Sequence, residues 1–410
     1  MKETILAYSY EAPFLLSSGD HVRIESIHDF ICKERRTKTV FYCLGKGYAV
    51  KRKSGRTYIE IPRIFDKTIK RILRWIKVAS LEENLMKLSQ ILLDEPFFVM
   101  QTSKHLEQAK IVFVHGSMSV APIALRLLGF KGVIVYDSLA NYSQTLYMRV
   151  HQGSILHKAI SYIRLAAYLA LHRLQLKSSD KVLYPSQFDA SNARKMFKLK
   201  EKARVIPNIF VSSYTALSEL QNLRKRYRRK YMIDKSSAVL AFCAGFRSKA
   251  NRDAVNLLVQ LDGKELGCNQ NLLLIITGPW LDFQKKGRIQ CIFTGTVPRT
   301  ELNGILAASD VGLAPIFEGS GTLLKVLEYM SAGLPVVATP VAVAGIPKPW
   351  LDKSRMYLAK NRCDFSLKLH EAIADNVKTN RLPARKELIS TANDDFANSL
   401  HELLKETFST

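Results

Sequence analysis

The chain has no run approaching the roughly 20 apolar residues that a membrane-spanning helix needs. Even Leu165 to Leu171 is short, and charged or polar residues flank it. The six cysteines stand at 32, 43, 243, 268, 291 and 363, too far apart for a zinc knuckle or a redox pair. In a chain of 410 residues they read as the reduced thiols of a cytosolic protein. Repeats at solenoid periods and low-complexity tracts are lacking as well, which sets aside arrays and disordered tails. Residues 1–8 carry one lysine and a short apolar stretch, with polar residues soon after, unlike a secretory signal. The expected location is therefore cytoplasmic.

Acidic residues are few. Asp plus Glu number 36 against 61 Lys plus Arg, a formal charge of +25. A field of that sign attracts polyanions, so nucleic acid, anionic lipid and phosphorylated small molecules all qualify as partners. Apolar residues make up 47% and charged residues 24%, a globular composition able to fill two cores of about 200 residues each.

Short apolar runs alternate with helical stretches. Strands are expected at Glu3–Ala7, Thr39–Leu44, Ile111–Val114, Gly132–Tyr136 and Lys181–Tyr184, with helices such as Val120–Leu128 and Leu156–Leu176 between them. A second series runs through Val239–Ala244, Leu272–Thr277, Ile292–Thr294, Val311–Pro315 and Pro335–Ala338. Strands alternating with helices imply parallel sheets covered on both faces, here in two α/β doubly wound domains. The boundary falls near Val205-Ile-Pro-Asn208, a turn signal, giving domains at 1–207 and 208–389. The basic stretch Leu223 to Tyr231 reads as a surface helix. Ala397, Leu400 and Leu404 share one face of a last helix, within about 390–410.

The most informative stretch is VGLAPIFEGSGTLLKVLEYMSAGLPVVATP, residues 311 to 340. It reads as strand, glycine loop (Gly319-Ser320-Gly321-Thr322), helix, turn at Gly333 and strand. A glycine loop feeding a helix N-terminus is an anion site, because free N–H groups and the helix dipole both favour negative charge. Lys325 and Glu328, three apart, share one helix face. A cation for a diphosphate beside a carboxylate for ribose hydroxyls suits a nucleotide. A surface Lys–Glu pair on an ordinary helix is the plainer reading of the same residues.

This segment resembles the nucleotide-binding motif of glycosyltransferase family 4, specifically the subgroup reading G-S-G-T-R-L-K-x-L-E. The resemblance implies the GT-B fold, two Rossmann-like domains facing a central cleft. Glu328 matches the ribose-binding glutamate. The family's earlier glutamate falls on Ser320, Leu323 replaces the subgroup's arginine, and Lys325 is kept. Gly319, Ser320, Gly321, Thr322 and Lys325 would hold the donor phosphates. The family also places a glycine loop near Ser18-Gly19-Asp20, making Gly19 a further phosphate contact, although Asp20 equally suits a helix cap.

His115 in Val114-His-Gly116 ends a strand where members carry a histidine facing the cleft; it could also be a satisfied structural histidine. Val135-Tyr-Asp-Ser138 matches a stretch in which Leu139 replaces a histidine, leaving Asp137 as the candidate on the sugar side, or as a loop-bonded residue. His115 and Asp137 are thus the candidate catalytic residues. FCAGFRSKANRDAV (242–255) resembles the first strand and loop of the donor domain, with Arg247 or Lys249 as the phosphate cation. Phe293-Thr294-Gly-Thr-Val297 matches the base-receiving strand and loop, so Thr294 and Val297 are the base contacts.

By the same resemblance, a hexose passes from a UDP- or GDP-hexose to a glycan or lipid-linked sugar with retention of configuration, in surface polysaccharide or glycoprotein glycan synthesis. No cofactor beyond this donor substrate is implied. No Asp-x-Asp cluster lies in the motif region, so no catalytic metal is implied either. Arg63 to Lys77 is amphipathic, with Phe65, Ile69, Ile72 and Ile76 along one stripe and six basic residues mostly elsewhere. It suits peripheral docking on an anionic membrane, or a core-packed helix with a solvated basic face. Three rivals stand beside the transferase. A GT-B nucleotide-sugar epimerase would need no acceptor, and an inactive scaffold would bind no nucleotide. A nucleic-acid-binding protein would show a reader motif; none is found, so no nucleic acid is expected.

Overall fold

In a computed structural model the chain is described at residues 4–9, 19–45, 48–53, 56–62, 95–107, 109–116, 119–139, 155–210, 217–245, 248–262, 271–279, 289–319, 322–376 and 382–408. It divides into two compact units, Met1–Pro207 with Phe396–Thr410, and Asn208–Asp395.

The first unit opens with β1 (Thr4–Ser9), α1 (Gly19–Arg35), β2 (Lys38–Gly45), β3 (Ala49–Lys53) and β4 (Arg56–Pro62). The short helices α2 (Glu95–Gln101) and α3 (Ser103–Leu106) follow. Next come β5 (Ile111–His115), α4 (Ala121–Leu127), β6 (Val133–Asp137), α5 (Ile155–Ser178), β7 (Lys181–Tyr184), α6 (Gln187–Phe197) and β8 (Ala203–Val205). The eight strands lie in the order β3-β4-β2-β1-β5-β6-β7-β8, parallel except for the edge pair β3–β4. β1 and β5 are apolar and buried on both faces, as a parallel sheet covered by helices requires. Successive strands run one way from β1 through β2 and the other way from β5. The C-terminal ends of β1 and β5 therefore flank the topological switch point, where doubly wound sheets receive ligands.

The second unit contains α7 (Leu217–Lys230), β9 (Ala238–Cys243), α8 (Lys249–Leu258), β10 (Leu272–Thr277), β11 (Gln290–Gly295), α9 (Arg299–Ala308) and β12 (Val311–Ala314). It continues with α10 (Leu324–Ser331), β13 (Val336–Ala338), α11 (Pro340–Val343), α12 (Lys348–Asp352), β14 (Met356–Leu358) and α13 (Arg362–Asn376). Helix α14 (Leu382–Phe408) ends the chain and starts earlier than its sequence pattern suggests. The six strands are all parallel in the order β11-β10-β9-β12-β13-β14, a 3-2-1-4-5-6 arrangement. Its switch point lies between β9 and β12.

Two tyrosines seat helices on this sheet. Tyr329 of α10 lies flat against Gly312, where an added Cβ would come within 2.4 Å of the ring. Its hydroxyl accepts the backbone N–H of Cys243 at 2.8 Å, so one side chain ties α10 to the end of β9. Tyr227 of α7 fills the space over Gly304 in the same way. The basic helix α7 is more than a solvated surface element. Arg224 and Arg228 each reach Asp310 at 2.6 Å, and Arg224 also donates to the carbonyls of Ala307, Ala308 and Ser309. Those carbonyls close α9, where the helix itself supplies no donor.

Gly312→Ala would drive a methyl group into the Tyr329 ring and should cost about 1–3 kcal/mol of stability. Urea unfolding of the variant reads this directly; an unchanged midpoint would show that the ring does not rest there.

Candidate functional site

In the second unit the residues from Glu318 to Leu323 join β12 to α10 at the sheet's switch point. Gly319 has φ +152, a conformation that residues with side chains rarely adopt. Ser320 and Gly321 lie outside the described residues. Thr322 Oγ1 donates to the Gly345 carbonyl at 2.9 Å. A Cβ on Gly345 would stand 2.9 Å from the Thr322 backbone nitrogen, so only glycine lets the two segments press together. Helix α10 starts at Leu324, two residues beyond the glycine loop, and Leu323 at its N-cap offers no side-chain cap. The Val326 N–H of the first turn donates to the Leu323 carbonyl at 2.9 Å, and no side chain caps the amides before it.

Lys325 points from this turn over the Phe242 ring, 4.4 Å from its centroid, and donates to Asn251 Oδ1 at 2.8 Å. Asn251 is held in turn by the Gly245 carbonyl at 2.8 Å. Burial pushes the Lys325 ammonium down to about 7. One turn on, Glu328 binds Arg299 at 2.5 Å through Oε1. Its Oε2 is buried with no hydrogen-bond partner among the described residues. A buried carboxylate oxygen without a donor is costly and calls for one.

Arg299 begins α9, directly after the segment carrying Thr294 and Val297. Its bond to Glu328 draws that segment to the same end of the sheet. Thr294 Oγ1 donates to the Gly295 carbonyl at 3.1 Å, and Val297 packs half-buried on the core. Lys249 is not an open cation. It pairs with Asp253 at 3.1 Å and with Glu318 at 3.5 Å. Arg247 lies outside the described residues, as does the segment 63–77.

In the first unit Gly19 is the first residue of α1, at the switch-point end of the sheet. His115 and Asp137 are adjacent, as their register across β5 and β6 requires, but neither faces an open surface. His115 is 2% exposed and Asp137 0%. Both side chains that the sequence singles out as the candidate catalytic pair are thus bonded to other side chains inside the first unit. His115 Nδ1 lies 3.0 Å from Asp137, and its Nε2 lies 2.9 Å from His28 Nε2. Arg23 donates to Asp137 from Nη2 at 2.8 Å and from Nε at 3.1 Å, and to the Ile206 carbonyl from Nη1 at 2.5 Å.

Burial alone would raise the Asp137 carboxyl. The Arg23 charge and the bonds from His115 and Arg23 outweigh it and hold the group at about 2. His28 is pushed well below its ordinary value, first by burial and then by His115, against the pull of Asp137. It is therefore neutral. A consistent proton assignment then runs in one direction. His115 Nδ1–H donates to the Asp137 carboxylate, His28 Nε2–H to His115, the Thr39 hydroxyl to His28 Nδ1 at 3.4 Å, and the Cys32 thiol to Thr39 at 3.2 Å.

Between the ends of β1 and β5 a small cavity of about 10 Å³ is lined by Tyr8, Ser9, Glu95, His115 and Ser119, among others. Burial raises the Glu95 carboxyl to about 8, although it accepts the Val120 N–H at 2.5 Å. Sequence reasoning missed Glu95, His28, Asn251 and Arg299. Each takes its role from a partner distant along the chain, and no local pattern marks it.

Residues 237–377, wholly within the second unit, match the model for glycosyl transferases group 1. Among curated proteins none matches the sequence significantly. Solved structures match over the whole chain. One is WaaG, a glycosyltransferase involved in lipopolysaccharide biosynthesis, at 16% identity and TM-score 0.66, covering 98% of this chain and 99% of that one. A second is sucrose-phosphate synthase from Thermosynechococcus elongatus, at 13% identity and TM-score 0.69, covering 100% of each. A third is an α,α-trehalose-phosphate synthase (UDP-forming) from Burkholderia xenovorans, solved with glucose-6-phosphate, at 15% and 0.66, again covering 100% of each. The fold is GT-B.

Asp137→Asn would leave Arg23 as a buried cation without its counter-charge and should cost about 3–5 kcal/mol. Because the folded carboxyl sits below its unfolded value, its stabilising contribution is full above pH ~4 and is lost as pH falls toward 2. Chemical unfolding between pH 7 and 3 should show this acid-side loss in the wild type and a flatter profile in the variant.

Proposed function

We propose that the protein is a retaining hexosyltransferase that uses a UDP- or GDP-hexose and delivers the sugar to a hydroxyl of a glycan or lipid-linked acceptor. The pathway proposed is surface polysaccharide or glycoprotein glycan synthesis, with the protein cytoplasmic and 63–77 as a peripheral membrane contact. The observation that carries this reading is the unpartnered Glu328 oxygen one turn from Lys325 and the uncapped start of α10. The two are spaced to take ribose hydroxyls and a diphosphate at once. The group 1 domain match over 237–377 supports it. So do neighbours named for sugar transfer and for a UDP product.

In this reading the bond from the sugar's anomeric carbon to the diphosphate breaks while the acceptor oxygen bonds to that carbon on the same face. The departing phosphate oxygen takes the acceptor's proton. What the protein must supply is stabilisation of negative charge growing on the diphosphate. That role is assigned to the start of α10, Thr322 and Lys325 and, from the family resemblance, to Ser320, Gly321, Arg247 and Gly19. Thr294 and Val297 would receive the base, mainly through backbone groups. No metal is assigned a step.

Thermal unfolding with UDP, GDP and their hexose conjugates tests the reading. A ligand of the folded state at 100 times its Kd adds about 2.7 kcal/mol, so one base series should raise the midpoint with concentration. Glu328→Ala should abolish that rise. No shift with any nucleotide would overturn the proposal.

Lys325 makes a separate prediction. A phosphate beside it raises its pKa, so binding above pH 7 takes up a proton. Nucleoside diphosphate affinity should be highest below pH 7 and fall up to about tenfold per unit above it. Titration calorimetry in two buffers of different ionisation enthalpy would detect the uptake, and Lys325→Met should remove both effects.

A further inference from the structure

At the end of the first unit's sheet opposite His115 and Asp137, a basin of about 580 Å³ opens between the C-terminal ends of α5 and α6 and the start of β7. Leu176, Phe197 and Leu199 form its apolar floor, and a ring of cations forms its wall. Some of these cations are committed. Lys181 pairs with Glu406, and Lys202 donates to the Ser179 carbonyl at 3.0 Å. Asp180, one of the two carboxylates in the lining, is taken by Arg126 at 2.5 Å. Arg173, Lys177, Lys198 and Lys200 are exposed and have neither a hydrogen bond nor an ion pair among the described residues. Against these four stands one carboxylate, Glu201. Lys198 and Lys200 also hold left-handed backbone, with φ of +55 and +45. Such backbone costs energy in a residue with a side chain and persists where the surroundings enforce it.

Helix α5 adds a second, independent feature. Its 24 residues contain no Asp or Glu. One face exposes Tyr162 at 53%, Ile163 at 70% and Leu174 at 52%, with the exposed alanines 159, 166, 167 and 170 between them. At 3.6 residues per turn these positions fall within an arc of about 140°. Arg173 and Lys177 lie in the same arc, so the apolar stripe runs straight into the basic basin. No helix among the described residues is long and apolar enough to cross a membrane. An exposed apolar stripe that ends in unpaired cations matches one environment on both counts: the boundary between the headgroups and acyl chains of an anionic bilayer.

We propose that this face of the first unit lies on an anionic lipid surface, with α5 along the headgroup boundary and a lipid phosphate in the basin between Lys177, Lys198 and Lys200. The apolar floor then meets the glycerol and upper acyl carbons of the same lipid. None of these residues belongs to the segment 63–77 or to the proposed nucleotide-binding residues.

Vesicle flotation of the full chain tests this, using phosphatidylcholine with and without phosphatidylglycerol. The wild type should float only with the anionic vesicles. Reversing three charges (Lys177→Glu, Lys198→Glu, Lys200→Glu) should weaken binding at least about tenfold. Ile163→Ser with Leu174→Ser should weaken it without changing the net charge. Reversing three exposed cations of α7 (Lys225→Glu, Arg226→Glu, Arg229→Glu) should leave it intact, and unchanged thermal midpoints should show every variant folded. Equal losses from the two charge reversals would overturn the proposal, because net charge alone would then suffice. So would full binding by the α5 stripe variant, or tight binding of soluble tripolyphosphate in the basin without any flotation.

Discussion

The Arg23–Asp137 pair holds together more of the first unit than any other contact. Asp137 ends β6 and Arg23 lies in the first turns of α1, 114 residues away in sequence. One guanidinium also reaches the Ile206 carbonyl, and one carboxylate also receives His115 from the end of β5. Two charges removed from water in this way are tolerated only when each is fully hydrogen-bonded, and here every polar contact has a counterpart. The neutral His28 extends the chain to Thr39 in β2, so helix, strands and the exit from β8 share one buried network. The histidine and aspartate that the sequence singles out thereby also shape the ends of two strands.

The second unit solves a different problem. Its ligand end must hold polar groups that stay incompletely satisfied until a partner arrives, on a sheet that is otherwise sealed. Tyr329 does the sealing: it fills the hollow over Gly312 and bonds the end of β9, which leaves Lys325 and Glu328 projecting from a helix that cannot shift. Arg299 fixes one oxygen of Glu328 and leaves the other without a donor. Rigid support under unsatisfied polar atoms is the arrangement that binding sites require.

The central strands were legible because strands buried on both faces read as continuous apolar runs; β1, β2, β5, β7, β9 and β10 all follow that rule. Of the edge strands β11 was expected, at Ile292–Thr294, but β3, β8 and β14 were not, nor was the interior strand β4. Ala49–Lys53 reads AVKRK, and charge on an edge protects it from pairing with another chain while erasing the apolar signal. β8 and β14 have three residues each, too few to show a period. In the site, the 311–340 segment carried Lys325 and Glu328 because their spacing is local. Arg299 and Asn251 stayed hidden because they meet Glu328 and Lys325 across 29 and 74 residues. The burial of His115 could not be read at all, since a strand-end histidine looks the same whether its ring turns outward or toward His28.

A lysine poised near neutrality also changes what an empty site attracts. A permanently charged ammonium is a standing lure for chloride and for any passing carboxylate. Lys325, its proton loosened by burial beside Phe242 and Asn251, exerts a weaker pull until a multiply charged group comes close enough to hold that proton on it. A diphosphate in the proposed donor site would thus supply the field that restores the full charge of the lysine that meets it.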